Sequence, residues 1–216
     1  MYQNVIFDLD GTLLNTLEDL KDSTNYALAQ HSYPTRTLEE VRCFVGNGIR
    51  KLIDRAVPEG TSVEKTDKVF ATFREYYATH SRVKTSMYEG MEQVMDALKE
   101  QNISMAIVSN KADDAVKDLA KYYFAKYIDV AIGEREGISR KPAPDSVYEA
   151  MRLLGATKEN TVYVGDSDVD RATAKNAGIP CISVTWGFRS EELLVSLKPE
   201  YLIHKPEEIL SVVTGK

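Results

Sequence analysis

Two aspartates two positions apart, Asp8 and Asp10, come directly after a short apolar run near the start of this 216-residue chain. A carboxylate at a buried strand is costly unless a cation or a donor pairs with it. Alternation along a strand would put both side chains on one side, so the two carboxylates would share a site. One is then suited to nucleophilic attack and the other to proton transfer. Asp10-Gly11 alone is also typical of an ordinary turn, an alternative that fits Asp8 poorly.

A second acidic cluster, Asp166, Asp168 and Asp170, follows another apolar run. A helix start with acidic caps is one interpretation, and it suits Asp168. Three carboxylates within five residues repel one another without a cation, so we favour a metal site with Asp166 as a ligand. Asp170 lies one helical turn further on, where it can orient the metal's waters or Lys141.

Ser109-Asn110 and Lys141 also come after apolar runs. Each is weak evidence for a site when taken alone, because a Ser-Asn pair is typical of helix caps and a lysine is usually a solvated surface charge. In doubly wound sheets, however, ligands bind at the carboxyl ends of the strands, where all these residues would meet. Hydroxyl and ammonium donors bind phosphoryl oxygens, and Mg²⁺ takes hard oxygen ligands. The combination predicts phosphoryl transfer at a magnesium site.

Short apolar runs ending in turn formers predict the strands that position these groups. They cover residues 5–7, 103–108, 161–164 and 180–184, with weaker runs at 129–132 and 201–203. Helical periodicity lies between them, so we predict an α/β fold with a doubly wound parallel sheet. Residues 16–85 show helical periodicity alone. We therefore expect a small α-helical cap domain at 16–85, inserted after the first strand of a core domain formed by 1–15 and 86–216.

Composition narrows the functional class. The net charge of −6 argues against a broad nucleic-acid surface. Two distant cysteines, Cys43 and Cys181, fit free thiols in a reducing compartment. No apolar segment is long enough to cross a bilayer. We expect a cytoplasmic protein, a monomer or homodimer, that acts on a small phosphorylated metabolite and binds neither nucleic acid nor membrane.

Four segments, taken in chain order, resemble the four motifs of the haloacid dehalogenase-like hydrolase superfamily. They are Asp8-Leu9-Asp10-Gly11-Thr12-Leu13, Ser109-Asn110, Lys141, and Gly165-Asp166-Ser167 with Asp170. The resemblance covers essentially the whole chain and implies that Asp8 is the nucleophile and Asp10 the general acid/base. It further implies that Asp8, Asp10 (through its carbonyl) and Asp166 hold Mg²⁺, that Thr12 shapes the turn, and that Ser109, Asn110 and Lys141 bind the phosphate. An aspartate at the second position of the first motif implies a phosphatase or phosphomutase.

Within that superfamily, several segments are similar to the phosphoglycolate phosphatase group, including Gly46-Asn47-Gly48 and Thr185-Trp186-Gly187-Phe188. Many relatives carry Asp where this chain has Asn15, at the expected hinge of the cap. The Gly46-Asn47-Gly48 segment fits either a plain helix-start turn or a loop that selects the substrate. Arg50 is a candidate contact for a substrate carboxylate. A β-phosphoglucomutase-like phosphomutase, a regulatory phospho-acceptor and a silent binding protein remain as alternatives.

Overall fold

Parallel strands form the main sheet of the computed structural model, which describes residues 1–128 and 130–215. The strands of these residues are β1 (Asn4–Phe7), β2 (Leu14–Asn15), β3 (Ser86–Met87), β4 (Ser104–Ala112), β5 (Val130–Glu134), β6 (Thr161–Gly165), β7 (Cys181–Val184) and β8 (Tyr201–Ile203). One sheet of the described strands has the order β5-β4-β1-β6-β7-β8, and its neighbours pair in parallel. The predicted parallel sheet is confirmed. In the predicted strand 129–132, residue 129 lies outside the described residues.

Helices cover both faces of this sheet. The described helices are α1 (Leu17–Gln30), α2 (Leu38–Phe44), α3 (Gly48–Ala56), α4 (Val63–His80), α5 (Met91–Glu100), α6 (Asp113–Tyr123), α7 (Asp145–Leu154), α8 (Asp168–Ala177), α9 (Glu191–Ser196) and α10 (Glu208–Thr214). Val5 and Phe7 of β1 pack in a core with α5, α6 and α10. Ile6 points the other way, into a core with α7 and α8. Because strand side chains alternate, β1 is buried on both faces. No helix of the described residues is long and apolar enough to span a membrane.

Strand β4 is longer than its apolar run predicts. Ser109 and Asn110 belong to the strand instead of following it, and β4 continues to Ala112. The pairing of β4 with β5 is irregular, because Val108 pairs with residue 132 and Ala112 pairs with residue 134. Between these two pairs β4 advances by four residues and β5 by only two. The two additional residues of β4 form a bulge, and Ser109 and Asn110 lie within it as part of the strand.

Residues Asn15–Ser86 form a second compact unit, distinct from Met1–Leu14 with Met87–Lys216. The helices α1 to α4 make up this unit, and α1 packs against α4. Helix α2 has weak apolar periodicity and is not predicted, but a Thr37–Glu40 capping box defines its start. The two-residue strands β2 and β3, which pair with each other, are too short to leave a periodic signal.

Candidate active site

The carboxyl ends of two neighbouring strands bring the main acidic residues together. Asp8 follows β1 and Asp166 follows β6, and these two strands pair in parallel. Asp170 lies in the first turn of α8, directly after the same strand. One carboxylate oxygen from each of the three residues lies within 4.8 Å of the others, and all three residues are buried. Two separate sequence clusters therefore converge on one point.

Lys141 is the cation of this cluster. Its ammonium nitrogen lies 2.8 Å from Oδ1 of Asp8, 2.8 Å from Oδ1 of Asp170 and 3.0 Å from the hydroxyl oxygen of Tyr163. The Lys141 side chain is 4% exposed. An ammonium has three N–H donors, so these three acceptors match its capacity. The contact between Asp170 and Lys141 is the one that the helical spacing suggested, whereas the sequence gave no indication of Tyr163.

Asn110 holds the main chain of Lys141 in place. Its side-chain oxygen accepts from the Lys141 N–H at 2.8 Å, and its amide nitrogen donates to the Lys141 carbonyl at 3.0 Å. The predicted phosphate contacts of Ser109, Asn110 and Lys141 stay predictions. What the structure adds is that Asn110 fixes the loop that carries the lysine. Ser109 is buried in the same strand, and its hydroxyl accepts from the N–H of Lys111 at 3.2 Å.

Burial and mutual repulsion dominate the electrostatics of the three carboxylates. Burial, followed by the charge of Asp170, raises the pKa of Asp8 to about 7 against the opposing effect of Lys141. Burial, followed by the charges of Asp170 and Asp8, raises the pKa of Asp166 well above its usual range. Burial disfavours the charged lysine, but Asp170 and Asp8 still raise the pKa of Lys141 well above its ordinary value. Nearby positive charge thus does not offset the burial of the Asp8 and Asp166 carboxylates and their repulsion by Asp170, so both pKa values stay raised.

The donor set fits a divalent cation. When all groups are ionised, the buried carboxylates of Asp8, Asp166 and Asp170 carry three negative charges. Against them stand the Lys141 ammonium, which pairs with Asp8 and Asp170, and the Arg189 guanidinium, whose charge acts on Asp166, so negative charge is in excess. Hard carboxylate oxygens are the ligands that Mg²⁺ prefers. The predicted ligand set of Asp8, Asp10 and Asp166 stays a prediction. The carboxylate that joins the other two in the described residues is that of Asp170, not that of Asp10.

Asp166 is held between two loops. The Phe188 N–H donates to its Oδ2 at 2.6 Å, and the Thr12 hydroxyl reaches its Oδ1 at 3.5 Å. Gly11 and Gly187 both lie against this side chain, so closely that a Cβ at either position would overlap it. The Trp186 indole N–H donates to the Thr12 carbonyl at 3.1 Å. Trp186 therefore fastens the turn of the first motif.

Asp10 lies near Asp8, since its charge adds to the effects of burial and Asp170 that raise the pKa of Asp8, but strand alternation is not the reason. Strand β1 ends at Phe7, so the alternation does not extend to the two aspartates. Asp10 accepts from the Lys111 ammonium at 2.9 Å and 3.0 Å through its two oxygens. Lys111 was not among the predicted site residues. Its position directly after Ser109-Asn110 is the only sequence signal for it.

The remaining predicted residues lie in the second unit. Gly46 and Gly48 have φ angles of 121° and 80°, which favour glycine and account for the tight connection between α2 and α3. Arg55 donates to the Phe44 carbonyl at 2.7 Å and to the Asn47 side-chain oxygen at 2.9 Å, which ties this loop to α3. Arg50, the candidate contact for a substrate carboxylate, forms ion pairs with two carboxylates of its own unit, those of Asp54 and Asp67.

Comparisons with known proteins show which family this chain matches. Residues 5–184 match the family model described as haloacid dehalogenase-like hydrolase. Phosphoglycolate phosphatase 1 of Pseudomonas aeruginosa is 32% identical over 212 residues, covering 95% of this chain and 78% of that protein. Pyrophosphatase PpaX of Listeria monocytogenes is 31% identical over 212 residues, covering 97% and 95%. The crystal structure of a candidate phosphoglycolate phosphatase from Lactobacillus delbrueckii subsp. bulgaricus has a TM-score of 0.94 and 32% identity, covering 100% and 99%.

Proposed function

This chain belongs to the haloacid dehalogenase-like hydrolase family, and from that premise we propose that it is a magnesium-dependent phosphatase. Its substrate is a small phosphate monoester such as phosphoglycolate, and the reaction passes through a phosphorylated Asp8. The observation that carries the proposal is the buried cluster of the Asp8, Asp166 and Asp170 carboxylates, with the Lys141 ammonium paired to Asp8 and Asp170. We infer that Asp8 and Asp166 hold the metal and that the helical unit acts as a cap that selects the substrate.

The proposed reaction has two displacements at phosphorus. In the first, a carboxylate oxygen of Asp8 bonds to phosphorus while the bond from phosphorus to the ester oxygen breaks. The leaving oxygen takes a proton from Asp10 and departs as an alcohol. In the second, a water molecule bonds to phosphorus and gives a proton to Asp10, and the bond to Asp8 breaks. Inorganic phosphate leaves and both aspartates return to their starting states.

The surroundings of Asp8 support its role as the nucleophile. Lys141 contacts its Oδ1 at 2.8 Å and so fixes the direction of the carboxylate. Phosphoryl transfer depends mainly on positioning and on neutralising charge at the transferred group. Bound Mg²⁺ would supply that neutralisation together with Lys141.

Relatives with different names make pyrophosphate a second candidate substrate. PpaX of Listeria monocytogenes is named a pyrophosphatase, and it is about as similar to this chain as the phosphoglycolate phosphatase is. The same displacement serves both substrates, since pyrophosphate differs only in its leaving group. A phosphomutase remains the alternative in which the acyl phosphate passes to a second hydroxyl instead of to water.

A substrate panel with a nucleophile variant tests the proposal. Phosphate release is measured with Mg²⁺ for phosphoglycolate, pyrophosphate, sugar phosphates and p-nitrophenyl phosphate. Asp8→Asn is expected to reduce turnover to below about one per cent of wild type, as removal of a nucleophile does in other enzymes. The matched control is Asp114→Asn, an exposed aspartate on α6, which should leave turnover unchanged.

Two outcomes would contradict parts of the proposal. If Asp8→Asn keeps several per cent of wild-type turnover, Asp8 is not the nucleophile. If thorough chelation leaves phosphate release unchanged, the enzyme does not need the metal; we expect chelation to abolish release and added Mg²⁺ to restore it. Intact mass after rapid quenching should show one phosphoryl group on the wild type and none on Asp8→Asn.

A further inference from the structure

Lys111 is a buried cation outside the cluster that surrounds Asp8. Its side chain is 3% exposed, and its ammonium contacts both carboxylate oxygens of Asp10, at 2.9 Å and 3.0 Å. The Asp10 side chain is 15% exposed. Removing an ammonium from water is costly unless a partner of opposite charge compensates it. The pair is therefore a built feature of the strand ends and not a chance contact between surface charges.

The fold brings Lys111 to Asp10 by a local irregularity. Lys111 lies in the part of β4 where the regular pairing with β5 is interrupted. Gly133 of β5 makes room there, because a Cβ at that position would be 2.6 Å from the Lys111 carbonyl oxygen and 2.4 Å from the Asp113 Cα. The Gly133 N–H also donates to the Asp113 side chain at 2.9 Å. Both the path of the main chain and the buried stem of the lysine are thus fixed.

We propose that Lys111 is a positioning residue that holds the Asp10 carboxylate for proton transfer to the leaving group. This inference rests on the proposed phosphatase function, in which Asp10 is the general acid/base. In the ionised form both oxygens accept from one ammonium, and when Asp10 carries the proton for the leaving group its other oxygen still accepts, so the carboxyl group is restrained in position in both forms. Misplacement of a reacting group by about 1 Å is enough to cost roughly 100-fold in rate.

The role has a signature that a merely structural lysine lacks. Protonation of the leaving oxygen matters for an alkyl phosphate, whose alkoxide is a poor leaving group, and matters little for p-nitrophenyl phosphate. The value of kcat/KM reports the steps up to the first irreversible one, which for both esters is transfer to Asp8. Loss of Asp10 positioning should therefore reduce kcat/KM for the alkyl ester selectively. Loss of folding or of the metal would reduce both values alike.

The test compares Lys111→Met with wild type on an alkyl phosphate and on p-nitrophenyl phosphate. Because general acid catalysis contributes about 100-fold or more, we expect the alkyl kcat/KM to fall at least about tenfold further than the p-nitrophenyl value. Lys111→Arg keeps the charge and two donors and should restore the wild-type ratio. Lys121→Met, at an exposed lysine in the last turn of α6, is the matched control and should change neither value.

A double-mutant cycle separates positioning from general damage. In the Asp10→Asn background, Lys111→Met should cause no further selective loss on the alkyl ester. Equal losses on both esters, or a selective loss that persists without Asp10, would overturn the inference. If Lys111→Met does not fold, Lys111→Gln serves with the same readout. Failure of the proposed function is distinguishable, because the wild type would then release phosphate from neither ester.

Discussion

Gly187 is the residue at which a single methyl group should disable the site. A Cβ at this position would lie 2.2 Å from the Asp166 Cβ, 2.4 Å from the Asp166 Oδ2 and 2.5 Å from the Gly11 carbonyl oxygen. Carbon atoms in ordinary contact are about 3.5 Å apart or more, so Gly187→Ala must displace its surroundings by more than about 1 Å. The φ angle of Gly187 lies outside the left-handed region, so alanine meets no backbone strain there. The penalty is steric and falls on Asp166.

Two magnitudes follow from this geometry. Overpacking of a buried site costs about 1–3 kcal/mol, which we expect as the loss in the free energy of unfolding. A shift of about 1 Å at a proposed metal ligand should reduce kcat/KM by about 100-fold. The measurements are urea unfolding, phosphate release at saturating Mg²⁺ and calorimetric titration with Mg²⁺. The affinity for Mg²⁺ is expected to fall along with kcat/KM.

Gly155→Ala is the matched control, because it separates loss of stability from loss of the site. Gly155 ends α7 with a φ of +65°, and nothing lies within 4 Å of its potential Cβ. Alanine should therefore cost about 1–2 kcal/mol of stability through backbone strain alone and leave kcat/KM unchanged. Wild-type kcat/KM and Mg²⁺ affinity in Gly187→Ala would refute the argument that this loop holds Asp166.

Two further outcomes are expected from groups that contact or lie near the cluster. Tyr163→Phe removes an acceptor from the Lys141 ammonium and should lower the free energy of unfolding by about 1–2 kcal/mol in urea, whereas exposed Tyr148→Phe should not. Burial raises the pKa of the Cys181 thiol from 9.0 to about 12, so a thiol reagent at about pH 8 should label exposed Cys43 and reach Cys181 only after unfolding. Since the unfolded thiol ionises first, stability should also fall as the pH rises from about 9 to about 12. Rapid labelling of native Cys181 would contradict its burial.

The sequence predicts much of the site because strand ends are local signals. Asp8 and Asp166 each follow a run of apolar residues that must be buried, and parallel strands place their carboxyl ends at one edge. The resemblance to a known family supplies Lys141, which local pattern alone would leave as a solvated charge. Its actual burial depends on Asn110, whose amide holds the Lys141 main chain from 31 positions away. No local pattern encodes a contact of that kind.

Lys111 and Gly187 show why the rest could not be read from the sequence. The Lys111–Asp10 pair joins residues 101 positions apart and depends on an irregularity in strand pairing, which apolar periodicity does not reveal. Gly187 looks like any loop glycine until the position of Asp166 is known. The same limit applies to the strand-alternation argument for Asp8 and Asp10. Alternation applies within a strand, and the strand ends before both residues.

The two aspartates of the first motif differ in electrostatic surroundings, and that difference suits their different proposed roles. Asp8 shares Lys141 with Asp170 and lies close to Asp166, so its surroundings carry an excess of negative charge. Asp10 instead lies against the Lys111 ammonium. The proposed divalent cation would offset the excess of negative charge around Asp8, where the phosphoryl group of the proposed reaction would bind. In this arrangement, proton transfer by Asp10 and metal binding by the Asp8 carboxylate would not compete for one side chain.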